Sequence, residues 1–208
     1  MSNQARFGFT PVQGPMSNPR KYTLASAYAP GNSCVGVAPG DVVKGLTDGT
    51  VALYEVGDGA NVLLGVIAAV SYVGTDGRRV YGGYVPAGHT YTGDADVINP
   101  LAPWILVWDQ PNTEFIASLT TDSGTALTEF QKNMSNMEVS ATSSTSVDTY
   151  YKRSKRTLTG TAATTNTLPF RVTEILRSPS QDYAAASNLR VKCVMNAGLH
   201  PFYNPLGL

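Results

Sequence analysis

Histidine and cysteine are nearly missing from this chain, which has only His89 and His200, and Cys34 and Cys193. Two histidines exclude a three-histidine zinc site, and neither stands at ligand spacing from a cysteine. Two cysteines are too few for a disulfide framework, and the first nine residues lack the basic-then-apolar profile of an export signal. The chain therefore reads as made and kept in a reducing cytoplasm. Long hydrophobic runs are absent too: the longest apolar stretch, residues 62–73, is broken by Gly65 and Ser71 and falls short of the roughly 20 residues a membrane helix needs. No membrane partner is expected. Net charge is zero, so the basic excess of a protein that coats nucleic acid is lacking as well.

What is there is a sorting of charge along the chain. Residues 1–40 carry Arg6, Arg20 and Lys21 and no acid; residues 41–148 carry thirteen acids against four bases; the remainder carries eight bases against Glu174 and Asp182. The blocks stand at +3, −9 and +6. A chain that is neutral overall but polarised in segments suits packing against copies of itself or against a patterned surface.

Residues 1–40 read as an extended N-terminal arm. Five of the thirteen prolines fall here, each removing a backbone donor and fixing φ, so neither a continuous helix nor a central strand is expected. Phe7, Phe9, Tyr22, Leu24 and Tyr28 lie among them with no regular period, and such apolar groups need a partner's surface.

Residues 41–208 read as a β-rich body. Short apolar strands at 51–56, 62–73, 78–85, 104–108 and 114–119 alternate with Gly- and Asp-rich reversals, Asp76-Gly77 being a hairpin turn. Even spacing of such strands implies a β-sandwich or barrel. Leu127, Phe130, Met134 and Met137 line one helical face and predict one short helix, capped by Asp122 or Thr125. The Ser/Thr-rich stretch around 140–167, with Lys152, Arg153, Lys155 and Arg156 at its middle, reads as a surface loop or hairpin. Residues 168–176 and 189–195 are closing strands, and 198–208 is a C-terminal tail.

No catalytic constellation emerges. Gly31-Asn32-Ser33-Cys34-Val35 fails the nucleophile-elbow pattern because Val35 stands where its second glycine belongs. Asp94-Ala95-Asp96 offers two carboxylates where calcium prefers six to eight oxygens. Asp109 and Glu114 are imaginable as a glycosidase pair at adjacent strand ends, but capping a turn accounts for both. Lys152, Arg153, Lys155 and Arg156 form the strongest basic cluster, and only Tyr150 and Tyr151 accompany it as stacking groups. No metal, cofactor or nucleic acid is expected. The basic groups and arm aromatics, namely Arg6, Phe7, Phe9, Arg20, Lys21, Tyr22, Lys152, Arg153, Lys155 and Arg156, are the expected contacts to a partner.

One ordered set of motifs carries a resemblance. Leu64-Gly65-Val66-Ile67-Ala68-Ala69-Val70-Ser71-Tyr72, Thr75-Asp76-Gly77, Tyr84-Val85-Pro86-Ala87-Gly88 and Ile105-Leu106-Val107-Trp108-Asp109-Gln110-Pro111-Asn112 follow one another. Leu168-Pro169-Phe170-Arg171-Val172, Val191-Lys192-Cys193-Val194-Met195-Asn196, His200 and Gly207 complete the series. In this order they resemble the capsid cement, or decoration, proteins of short-tailed bacteriophages. The chain departs at Gln110, where the family has a second acid, and at Val70, where it often has cysteine. The match covers most of residues 60–208 and none of 1–40. It implies a non-enzymatic structural protein on the outer capsid surface of the virion. Such a protein binds the phage major capsid protein across subunit seams and associates with itself as a homotrimer or a dimer. A tail or fibre adaptor with a carbohydrate-binding loop and a virion-borne hydrolase using Asp109 and Glu114 are the alternatives.

Overall fold

The computed structural model describes residues 7–12, 18–25, 35–59, 62–74, 78–87, 103–120, 136–141, 146–176, 187–196 and 200. Among these the chain is mainly β, with no α-helix. The strands form two barrel-like rings and one small hairpin.

The first ring is built from β8 (Glu114–Thr120), β9 (Asn136–Val139), β12 (Leu158–Ala163), β13 (Phe170–Ile175) and β14 (Ser187–Met195). Pairing runs β8–β12–β9–β13–β14 and returns to β8, so the sheet closes on itself. Closure removes the open edges on which a flat sheet would aggregate. β12 lies parallel to β8 at Leu119 and Thr120, whereas β14 runs antiparallel to β8 along its whole length. β1 (Thr10–Pro11) fills the gap beside the first half of β8.

In the second ring the strand pairings are antiparallel and the bridge between its two ends is parallel: β2 (Arg20–Thr23), β7 (Trp104–Trp108), β5 (Leu63–Val73), β3 (Val42–Gly45) and β4 (Val51–Leu53), with β6 (Arg79–Tyr81) beside the far half of β5. Leu24 bridges Val51, and the Ala25 amide donates to the Val51 carbonyl at 2.8 Å, which carries the end of β2 round to β4. β10 (Val147–Asp148) and β11 (Arg153–Ser154) form the separate hairpin.

Two hydrophobic cores result, and β3 and β5 feed both. Val42, Leu63 and Val66 enter the core that holds Phe9, Phe115, Phe170 and Leu158. Val43, Leu64, Ile67 and Val70 enter the core of the second ring, with Leu24, Leu53, Ile105 and Val107. A strand buried on both faces has no reason to alternate apolar with polar residues. Register shifts on β5, between Val43 and Lys44 of the β3 pairing and between Ile67 and Ala69, each change which face the following residue takes. That is why the 62–73 run shows no period of two. At Gly65 a Cβ would collide with the Trp108 carbonyl oxygen, so the close passage of β5 along β7 requires glycine there.

Two expectations change, and a third falls largely outside the described residues. The segment read as an arm is woven into the body: Phe9 is 2% exposed and stacks on Phe170, Leu24 is buried in the second core, and β1 and β2 pair with β8 and β7. Both are edge positions, which is how proline-rich chain enters a sheet. The Ser/Thr-rich insertion is a surface hairpin only as far as β11; its continuation, β12, sits inside the first ring because Leu158 on it is fully buried. The expected helix falls on residues outside the described set except for Met137, which lies in β9.

Candidate interaction surface

The hairpin of β10 and β11 is the most exposed aromatic feature among the described residues. Tyr150 is 83% and Tyr151 57% exposed, and their rings meet edge to face with centroids 4.8 Å apart. The Arg153 guanidinium lies 4.9 Å from the centre of the Tyr151 ring. Local chemistry sets this shape. Asp148 Oδ1 accepts from the Tyr150 and Tyr151 amides, both at 3.0 Å, which is an Asx-turn closing the loop. Those amides, foremost that of Tyr151, and the nearby Lys155 and Arg153 hold the Asp148 carboxyl below the usual range, so it stays ionised. Lys152 then turns the chain with φ of 53°, a left-handed conformation uncommon for any residue but glycine or asparagine.

The hairpin's base is fastened to the rest of the fold. The Ser154 amide donates to the Pro39 carbonyl at 2.9 Å, the Gly8 amide to the Ser154 carbonyl at 2.6 Å, and the Lys155 amide to the Ser146 carbonyl at 2.6 Å. Gly8 is needed for this approach, since a Cβ would lie 2.6 Å from the Ser154 Cβ. Beneath sits Arg156, expected on the exposed cluster but only 1% exposed. Its Nε and Nη2 donate to the Ser140 carbonyl at 3.0 and 2.7 Å, and its Nη1 to the Val42 carbonyl at 3.4 Å. One guanidinium thus ties the end of β9 to β3 across the two rings, which explains why this cation is buried. Asp41 lies close by, accepting at Oδ2 from the Ala38 amide at 2.8 Å. Burial pushes its carboxyl up to about 6, against the opposing pull of the Ser154 hydroxyl and the Arg156 charge.

Beside the hairpin base, between the two rings, is a half-open cleft of about 320 Å³. Gly8 to Pro11, the Pro39–Gly40 turn, Ile67 and Ala68, Trp108 and Arg153 border it. The bordering segments are hydrogen-bonded to one another: Phe9 amide to Gly40 carbonyl at 3.1 Å, and Gly40 amide to Ile67 carbonyl at 2.8 Å. The cleft is therefore preformed. Sequence reasoning could not find it, because five separate segments meet there and none has a motif of its own.

The other expected contact residues divide between surface and interior. Arg6 lies outside the described residues. Phe7 is half-buried, with the Arg190 guanidinium 5.2 Å from its ring centre, and Phe9 is in the core. Lys21 is exposed, its ammonium 4.8 Å from the Trp104 ring, which Tyr81 meets edge-on. Arg20 and Tyr22 converge on one carboxylate: Asp109 Oδ2 accepts from Arg20 Nε at 3.1 Å and from the Tyr22 hydroxyl at 2.6 Å. Desolvation, followed by the Asp109 hydrogen bond, pushes the Tyr22 phenol up to about 12. Lys152 and Arg153 are exposed and Lys155 is half-buried.

Asp109 itself is 1% exposed, so its carboxylate fastens β2 to the end of β7. Glu114 accepts from the Thr173 hydroxyl at 3.4 Å. His200 is buried and donates from Nε2 to the Leu64 carbonyl at 3.0 Å; desolvation lowers its pKa, with the carbonyl and Asp109 opposing. Burial pushes the Cys193 thiol upward. Cys34, His89, Asp94 and Asp96 lie outside the described residues. Among the described residues no three His, Cys, Asp or Glu side chains group as metal ligands, and no helix is long and apolar enough to cross a membrane. Set beside protein-family models, curated proteins and solved structures, the chain matches none of them.

Proposed function

We propose that this protein is a capsid decoration protein, a structural component that attaches to the outer surface of a bacteriophage shell and braces the seams between major capsid subunits. The observation that carries the reading is the hairpin: two exposed tyrosines and two exposed cations held on a base that is hydrogen-bonded to the segments leading into β1 and β3. Tyrosine and arginine dominate protein–protein hot spots because they offer large contact area at small entropic cost. A strained, prearranged tip avoids much of the ordering cost of binding. Many copies on one lattice turn modest contacts into firm attachment. The order of motifs along residues 60–208, which resembles the cement proteins, supports the same reading, as does the segmental charge pattern. Self-association as a trimer or dimer belongs to this proposal.

The test is occupancy on purified particles across a salt series. A Tyr150→Ala/Tyr151→Ala double variant should bind about tenfold more weakly, and Lys152→Ala/Arg153→Ala should flatten the salt dependence, because exposed ion pairs are screened as the Debye length falls from about 10 Å at 0.1 M to about 3 Å at 1 M. Unchanged occupancy for both variants overturns the reading. About a dozen copies per particle, in place of hundreds, would point to a tail or fibre adaptor.

A further inference from the structure

We infer that the cleft between the two rings is a docking site for an extended polypeptide segment that carries a carboxylate next to an apolar side chain. This deepens the decoration reading and rests on it only for the owner of that segment, the shell protein. The chemistry comes from the cleft itself.

Its volume, about 320 Å³, is at the low end of the roughly 300–1,000 Å³ typical of small-molecule sites, and it is open along one side. That shape receives one or two side chains of a chain passing over it and would leave a small ligand largely in water. Gly8, Gly40, Pro11, Pro39 and Ala68 supply much of the border, so the walls are main chain. Few flexible side chains need ordering when a segment settles there. Half-buried Trp108 gives the apolar contact.

Among the described residues Arg153 is the single charged residue on the border, and it fixes the sign of the partner. Its guanidinium lies 4.9 Å from the Tyr151 ring centre and feels the Asp148 carboxylate across the hairpin, but it forms no salt bridge among the described residues. A guanidinium at the border of an apolar cleft is complementary to a carboxylate, which it can engage through two parallel hydrogen bonds. The same arginine joins the cleft to Tyr150 and Tyr151, so cleft and hairpin tip form one continuous surface.

The probes are blocked tetrapeptides added to the isolated full-length protein: acetyl-Gly-Asp-Leu-Gly-amide and its Asn and Lys counterparts. The chain has two tryptophans, so a Trp104→Phe background leaves Trp108 as the sole indole reporter. Saturable change in Trp108 fluorescence is expected with the Asp peptide, at least about fivefold weaker with Asn and weaker still with Lys. Arg153→Glu should reverse the order of Asp and Lys. Ala68→Leu, which fills the cleft from its border, should abolish all responses while the thermal melt stays that of a folded protein. Equal responses to the three peptides, no saturation, or an order unmoved by Arg153→Glu would overturn the inference. So would self-association in sedimentation that Ala68→Leu abolishes, since the occupant would then be a second copy. Peptide binding without particle binding would sink the decoration reading alone; the converse would sink the cleft alone.

Discussion

Phe9 and Phe170 stack with ring centroids 4.5 Å apart and planes 26° from parallel, joining the first described segment of the chain to β13 inside one core. Phe115 meets Phe170 edge to face at 6.3 Å, so the three rings form one aromatic nucleus. Offset and edge-to-face arrangements of this kind add to the burial of the rings themselves.

Phe9→Ala should accordingly destabilise the fold by about 3–5 kcal/mol, the range for removing a buried phenylalanine. Removal of residues 1–12 should do at least as much, because β1 and the Gly8–Ser154 and Phe9–Gly40 hydrogen bonds go with it. Urea denaturation followed by fluorescence measures both. A truncated chain with the wild-type midpoint would mean that the ring closes without its N-terminal segment.

Asp41 gives the fold a pH dependence of known sign. Its carboxyl is raised from 3.8 to about 6, so the folded state holds this proton more tightly than the unfolded state does. The stabilisation that follows is complete below about pH 4 and is lost as pH rises through 6, amounting to about 3 kcal/mol. Asp41→Asn removes the titration, so the variant should gain on the wild type as pH increases from 4 to 8. Parallel denaturation curves at each pH are the measurement, and a constant difference between the two proteins is the contrary result.

Lys152 occupies a left-handed position where glycine would sit without strain. Lys152→Gly should raise stability by about 0.5–1 kcal/mol, the relief of strain being partly offset by a more flexible unfolded chain. Attachment to particles should weaken in the same variant, since a cation is lost from the tip. Stability rising while occupancy falls is the signature expected of a residue kept for binding.

Gly65→Ala should cost about 3 kcal/mol, the upper end of the usual overpacking range, because the new methyl group meets the rigid backbone of Trp108 rather than a movable side chain. Gly49→Ala is the control: its φ of 80° strains alanine, but nothing lies within 4 Å of the added atom. The two thermal melts, compared, separate overpacking from backbone strain.

The strands β5, β7, β8, β13 and β14 and the mainly β character follow from the residues alone. Runs such as Trp104-Ile105-Leu106-Val107-Trp108, stopped by Asp109-Gln110-Pro111, express side-chain and turn preferences that act over a few residues. The exposed hairpin was legible in the same way, through Ser, Thr and the basic cluster. Which strand edges meet was not. The parallel contact of β12 with β8, the closure of the first ring, the Leu24–Val51 bridge of the second and the entry of Phe9 into the core depend on contacts between distant segments. Arg156 shows the reason most plainly. In sequence it is one of four neighbouring cations, and what removes it from the surface is the arrival of the Ser140 and Val42 carbonyls from two different rings. A charge is buried only where the fold supplies enough acceptors to replace water, and that supply is decided by tertiary structure.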